Sequence, residues 1–158
     1  MSKSPDIIAW CDGSYRGSES KKGGPIGGGF ILRYRKTGTT YNCSRIFNAL
    51  SNCRKQGSMI AEIRAITAAL RHAPRSHHIH VCNDNRNIVQ ALQTRDLGDR
   101  VSQTSDGDEL KKAFHDAMSA IQRHGHVSFS WRWRNKPIMK MADKLADQAT
   151  RPPKAKAA

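Results

Sequence analysis

Ile7-Ile8-Ala9-Trp10-Cys11-Asp12-Gly13-Ser14 is an apolar run that closes on a carboxylate and a glycine. It predicts a buried strand ending at Asp12, with Gly13 turning the chain away and the aspartate's charge held at the rim of a sheet. That position suits a metal ligand. Asp-Gly is also among the commonest turn dipeptides, so the pair alone decides little. The charge map around it decides more. Between Ser20 and Arg95 there are thirteen Lys and Arg but only two acids, Glu62 and Asp84, and from Ala117 onward nine cations face only Asp143 and Asp147. In so basic a chain, isolated carboxylates call for something cationic to bind them. Asp12, Glu62, Asp84 and Asp143 are therefore expected to converge on divalent metal.

The 158 residues are one domain's worth of chain, with a net charge of +14 and a pI of about 10.2. Such a charge favours a polyanionic partner bound through counterion release, nucleic acid first. No apolar stretch approaches a membrane span. Cys11, Cys43, Cys53 and Cys82 lack C-x-x-C spacing and read as reduced thiols, not a disulfide or zinc framework. The start, Met1 to Asp6, lacks the apolar core of a signal peptide, so a cytoplasmic location is expected. Residues 1–6 read as a tail, 7–150 as the folded domain, and 151–158 as a disordered basic tail.

Beyond Asp12, Ser14 to Pro25 reads as a glycine-rich surface loop. Gly27-Gly28-Gly29 leads into Phe30 to Arg35, and Lys36 to Thr39 turns the chain into Thr40 to Phe47, a hairpin of antiparallel strands. No P-loop Lys-Ser follows the glycines, so they read as permitting close backbone approach near Asp12. Ser58 is the expected N-cap of a helix from Met59 to about His72, stopped by Pro74, with Met59, Ile63, Ile66 and Leu70 as its core stripe. Glu62 lies at the edge of that stripe with no cation one turn away to pair with it. His77 to Asn83 is a strand ending at Asp84; parallel to the first, it would bring Asp12 and Asp84 to one sheet edge. His77, His78 and His80 fall at its opposite end and read as surface residues, not a metal cluster.

Asn85-Arg86-Asn87 opens a short helix with Ile88, Val89 and Leu92 on its apolar side. Thr94 to Gly107 is a polar connector, and Asp108 to His124 a core-covering helix. Val127, Phe129, Trp131 and Trp133 alternate with Ser128, Ser130, Arg132 and Arg134, the pattern of a half-buried strand. Its tryptophans could stack on bases, but alternation makes them core. The last helix buries Ala142, Leu145, Ala146 and Ala149. Its Asp143 and Asp147 form a like-charged i, i+4 pair, of which Asp143, nearer the loop, is the better ligand candidate.

The order β-β-β-α-β-α-α-β-α, carried by Cys11-Asp12-Gly13-Ser14, Gly28 to Arg35, Ala61-Glu62-Ile63-Arg64-Ala65-Ile66, Asn83-Asp84-Asn85 and Ala142-Asp143-Lys144-Leu145-Ala146, resembles the type 1 ribonuclease H family. The resemblance implies an α/β fold: a five-stranded mixed sheet, three antiparallel strands plus parallel ones, flanked by helices. It implies an endonuclease that hydrolyses the RNA strand of RNA/DNA hybrids to 5′-phosphate and 3′-hydroxyl ends. Asp12, Glu62, Asp84 and Asp143 would be its catalytic and metal-binding carboxylates. Two Mg²⁺ ions, with Mn²⁺ as a substitute, suit a donor set made only of hard oxygens. Gly13, Ser14, Arg16, Asn85, Arg86, Asn135 and Lys136 are the expected substrate contacts, and a monomer acting on RNA/DNA hybrid is the expected working form.

Three departures from the family pattern accompany this reading. The loop histidine before the last aspartate is missing from Trp133 to Ile138, leaving Asn135 or Lys136 as the substitute. The asparagine pair before the helical glutamate is replaced around Ser58 and Met59. A basic, tryptophan-containing protrusion is absent, so hybrid affinity falls to Arg16, Lys21, Lys22, Arg54 and Lys55. Two rival readings are a catalytically weak or inactive module of the same fold that binds hybrid or double-stranded RNA, and a related nuclease acting on DNA.

Overall fold

The computed structural model describes residues 3–16, 23–47, 50–51, 56–75, 77–101 and 105–151. Strands β1 (Ile7–Tyr15), β3 (Ile26–Tyr34), β4 (Thr40–Ile46), β6 (His78–Asn83) and β7 (His126–Trp131) form one mixed sheet in the order β4-β3-β1-β6-β7. The short β2 (Gly23–Gly24) and β5 (Leu50–Ser51) pair with each other. Four helices are described: α1 (Gly57–His72), α2 (Arg86–Thr94), α3 (Ser105–Ile121) and α4 (Pro137–Thr150). This is the expected five-stranded α/β architecture, with β1, β3 and β4 antiparallel and β6 and β7 parallel to β1.

β1 is central because its residues are apolar on both sides. Ile7, Ala9 and Cys11 enter the larger core with α1, whereas Trp10 joins Ile31, Cys82, Met139 and Ala142 beneath α4. The triple glycine explains how both helices come so close. A Cβ on Gly28 would stand 2.7 Å from the Ala65 Cβ of α1, and one on Gly29 would stand 2.5 Å from the Ala146 nitrogen of α4. Successive residues of β3 thus admit one helix on each face, and the register sets Asp12 opposite Gly29 and Gly13 opposite Gly28.

Several expectations need correction. β1 does not end at Asp12 but runs on to Tyr15, because β3 stays paired with it throughout. The partner that leaves is β6, whose pairing with β1 runs from Ile7↔Ile79 to Trp10↔Cys82. Gly13 does not turn the chain; a Cβ there would meet the Glu62 nitrogen at 2.4 Å, so the glycine lets α1 press against the strand.

Helix α1 starts before Ser58, with Gln56 at its cap position and no side-chain cap. Gly57 lies against the Tyr15 ring, closer than any side chain could, so packing and not capping chemistry sets the start. The helix is also buried well beyond one stripe, since the sheet lies on one side and α3 on the other; Met59, expected in the core, is only half-buried. α3 begins at Ser105 and ends at Ile121, three residues earlier at each end than its apolar spacing suggested. His124, just past it, is buried with Nε2 2.7 Å from the Leu70 carbonyl.

β7 stops at Trp131, so Trp133 is not core; it is 57% exposed. On α4 the fully buried residues are Met139, Ala142, Ala146 and Thr150, whereas Leu145 and Ala149 are half-buried. His78 and His80 are half-buried on the sheet face, with both His80 ring nitrogens 2.7 Å from the Ser128 and Ser130 hydroxyls. Cys11, Cys43 and Cys82 are free thiols. Among the described residues, no helix is long and apolar enough to cross a membrane. The expectations for Cys53, for Lys21, Lys22, Arg54 and Lys55 as docking cations, and for a disordered tail over 152–158 lie outside the described residues.

Candidate metal centre

Where β6 parts from β1, the sheet opens a gap that helices on both faces can reach. Asp12 comes from β1, Glu62 from α1 and Asp84 from the residue just after β6. One carboxylate oxygen from each lies within 4.8 Å of the others. The three line a cleft of about 530 Å³ together with Asp143 of α4. All four sequence-predicted carboxylates therefore share one cavity, three in a tight group and Asp143 on its wall.

Asp12 and Glu62 are 4% and 8% exposed, values at which a carboxylate needs donors or a cation. The Gly13 N–H serves both, at 3.0 Å from Asp12 Oδ1 and 3.1 Å from Glu62 Oε2. The second donor to Glu62 is Asn83, which the sequence placed at the end of a strand, beside Asp84, without giving it a role. Fully buried, it donates from Nδ2 to Glu62 Oε2 at 2.7 Å and to the Cys11 carbonyl at 2.9 Å. Its Oδ1 accepts from the Asn85 N–H at 2.9 Å. Asn83 thus locks β1, α1 and the turn carrying Asp84 together. The available signal was an amide directly before a ligand carboxylate, in a strand too buried to leave an amide unpaired.

Burial raises the pKa of Asp12 far above the ordinary carboxylate range, and the neighbouring charges of Glu62 and Asp84 add to the shift. Burial also raises Glu62, against the hydrogen bonds from Asp12, Asn83 and Gly13 that favour its charged form. Asp84 is raised by burial too, offset by Arg134, whose Nε lies 3.5 Å from Asp84 Oδ2. Two of these carboxyls are thus poorly tolerated as anions without added positive charge. An all-oxygen donor set, buried at Asp12 and Glu62 and half-buried at Asp84, fits a hard divalent cation, Mg²⁺ or Mn²⁺.

The other predicted contacts divide. Gly13, Asn85 and Arg86 line the cleft, as do Ser58, Trp131, Trp133 and Arg134. The Asn85 side chain is occupied in capping α2, accepting from the Asn87 and Ile88 N–H groups at 3.0 and 3.3 Å. Arg86 lies over the Trp131 ring, 4.0 Å from its centroid. Ser14 and Arg16 turn elsewhere: the Ser14 hydroxyl and Arg16 Nε each lie 2.9 Å from Thr150 Oγ1, and Arg16 also pairs with Asp147. Asn135 and Lys136 are exposed outside the cleft lining.

The strand order, the helix on each face and the carboxylates at the β1/β6 gap define a ribonuclease H-like fold. A family model described as RNase H matches residues 4–151, and the chain belongs to that family. Similar solved structures include the N-terminal RNase H domain of rv2228c from Mycobacterium tuberculosis, solved as a fusion with maltose-binding protein (19% identity over 92% of this chain and 98% of that one, TM-score 0.66). RNase H1 from the halophilic archaeon Halobacterium salinarum NRC-1 is similar at 20% identity over 90% and 96% of the two chains, TM-score 0.65. LC11-RNase H1, solved in complex with an RNA/DNA hybrid, is similar at 23% identity over 91% and 96%, TM-score 0.61. A comparison with curated proteins finds no match.

Proposed function

We propose that this protein is a divalent-metal-dependent endoribonuclease that cuts the RNA strand of RNA/DNA hybrids, leaving 5′-phosphate and 3′-hydroxyl ends. The observation that carries the reading is the group Asp12, Glu62 and Asp84, three carboxylates within 4.8 Å, for which Arg134 is the ion-pair partner among the described residues. Family membership and the hybrid-bound LC11 relative support the substrate class.

Asp12, Glu62, Asp84 and Asp143 would hold two divalent ions, preferably Mg²⁺. Bound there, the ions supply an activated water and neutralise charge at the scissile phosphate and its leaving 3′ oxygen. The chain's own part is positioning. Gly13 and Asn83 fix the Glu62 carboxylate, and β1 fixes Asp12. Arg134, reaching Asp84 from the cleft wall, would face the phosphate, whereas Asn135 and Lys136, the expected substitutes for the loop histidine, lie outside the cleft lining. Arg86 lines the same cleft and adds positive charge along the strand's path. Action as a cytoplasmic monomer belongs to the same reading.

The test is a cleavage assay of one end-labelled sequence presented as RNA/DNA hybrid, duplex DNA and duplex RNA, each with Mg²⁺, Mn²⁺ or chelator. Cleavage confined to the RNA of the hybrid and stopped by chelator is the expected result. Binding of the hybrid that is indifferent to metal, without cleavage, would favour the binding-module reading instead.

A further inference from the structure

Trp133 stands where no core needs it. β7 ends at Trp131, the Arg132 N–H makes the last tether to β6 at 2.9 Å from the Asn83 carbonyl, and the chain then turns, with the Lys136 N–H 3.1 Å from the Trp133 carbonyl. The indole is 57% exposed, yet it is held against a fixed backing. Its ring centroid lies 5.1 Å from that of Trp131 at 56°. Trp131 in turn is gripped by Arg86, 4.0 Å from its centroid, and by its own Nε1–H donating to the Asp84 carbonyl at 3.0 Å. A single exposed aromatic is ordinary on a protein surface. This one lines the cleft that holds the four carboxylates, with Arg132 and Arg134 beside it in sequence.

We infer that Trp133 is a stacking platform for one unpaired nucleobase of the RNA strand beside the phosphate that the carboxylates would address. The inference rests on the nuclease reading above and sharpens its substrate. Within a duplex each base face is covered by its neighbours, so only an unpaired base presents a free π face to the indole. Trp131 backs the indole at a tilt, and the exposed remainder of Trp133, on the wall of the cleft, is where a base would stack. The adjoining arginines supply charge for the phosphates on either side of that base, and stacking of this kind is tolerant of base identity. The preferred substrate is then a hybrid with single-stranded RNA next to it, not an uninterrupted duplex.

The test measures binding in the Asp12→Asn background, where no cutting competes, with Mg²⁺ present. The probes are a blunt hybrid and the same hybrid carrying a four-nucleotide RNA extension at its 5′ or its 3′ end. The readout is the ratio of blunt to extended dissociation constants, read beside tryptophan fluorescence. One base stacked on an indole is worth at least about a fivefold ratio. That ratio, with extra quenching by the extended hybrid, is expected for Trp133. It should fall to about one in Trp133→Ala and be partly restored in Trp133→Phe. Equal affinities and equal quenching for all three hybrids, or a ratio that survives Trp133→Ala, would overturn the inference while leaving the nuclease reading standing. Failure to bind any hybrid would overturn both.

Discussion

Asp143 and Asp147 stand one turn apart on α4 and have opposite surroundings. Asp147 is claimed by two guanidinium groups, from Arg16 and Arg151, and ties the end of β1 to the end of the helix. Asp143 opens into the cleft with Asp12, Glu62 and Asp84, where the described ion pair is that of Arg134 with Asp84. The like-charge repulsion expected between the two aspartates is thus relieved at one end only. A carboxylate given its own arginines is structural, whereas on the proposed reading a group of carboxylates short of them would take a cation from solution. Variants at the two ends should therefore fail in different ways.

The largest effect is expected at Asp12. Asp12→Asn removes a ligand worth several kcal/mol of transition-state charge stabilisation, so single-turnover cleavage of the hybrid should fall about a thousandfold or more. Hybrid affinity should stay within a few fold, because the strand is held mainly by contacts to its backbone. The same substitution should raise the melting temperature of metal-free protein, since it deletes the charge that burial penalises most. Near-normal cleavage by this variant would break the distinction between the two ends of α4. Asn83→Ala comes next. Losing the amide strands the Cys11 carbonyl and leaves Glu62 with only Gly13 and the neighbouring Asp12 carboxyl as partners, which should cost about 1–3 kcal/mol in stability. Activity should drop about 10–100-fold, as for other groups that orient metal ligands. Denaturant unfolding and cleavage measured on one preparation separate the two losses.

Gly29→Ala acts through packing. The new Cβ would lie 2.5–2.6 Å from the Ala146 nitrogen and the Ala142 carbonyl, backbone atoms that cannot rotate away. α4 must shift, at a cost of about 1–3 kcal/mol. The shift carries Asp143 with it, so cleavage should suffer in folded protein, while the cluster of Asp12, Glu62 and Asp84 stays intact. Unchanged cleavage with lowered stability would show that the setting of Asp143 is loose.

These glycines mark how far the sequence could be read. The carboxylates of the cleft were legible because acids are so few in a basic chain, four strands because alternation and apolar runs report burial directly, and the exposed β4 because a turn over Lys36 to Thr39 announces a hairpin. Gly27 to Gly29 were legible as a close approach, but not which helix approaches which residue. Asn83 was not legible, since its worth lies in partners 21 and 72 residues away, Glu62 and Cys11. Arg16 and Ser14, expected as substrate contacts, have Thr150 and Asp147 as partners, which nothing local in the sequence shows. Trp133 was misread because the alternating pattern continues past Trp131, whereas the strand ends where β6 ends and offers no further partner. In each case the missing information was the end of a neighbouring element, not a property of the residue.

The raised carboxyls also predict how stability responds to pH. Asp12 and Glu62 hold protons in the folded state above the value of about 4 usual for unfolded carboxyls. The native protein therefore binds more protons than the unfolded chain over this range, and its stability falls as pH rises from about 4 upward. Melting temperatures of metal-free protein between pH 5 and 8 should slope downward more steeply than those of Asp12→Asn. The variant corrects for other titrating groups such as His80, which burial lowers and which tilts the slope the other way. Stabilisation by Mg²⁺ should grow across the same range, because the ion displaces those protons. Parallel slopes for the two proteins, or no response to Mg²⁺, would count against a coupled carboxylate pair.

The smallest effect belongs to Asp147, and it sharpens the comparison most. Asp147→Asn loses two ion pairs, but both arginines are well exposed, at 39% and 64% of the side chain, and the aspartate itself is 32% exposed. Water and salt screen such pairs, so the cost should be at most about 1 kcal/mol. Arg16 keeps its hydrogen bond to Thr150, and the Ser14 hydroxyl keeps the same partner, so β1 stays joined to α4. Cleavage should be unchanged within about twofold, and the melting temperature should drop slightly at low salt and not at all at high salt. A large loss of cleavage would mean that the arginine-bound end of α4 governs the setting of Asp143 one turn away. The division between an internally neutralised aspartate and one left open for metal would then give way to a single coupled network.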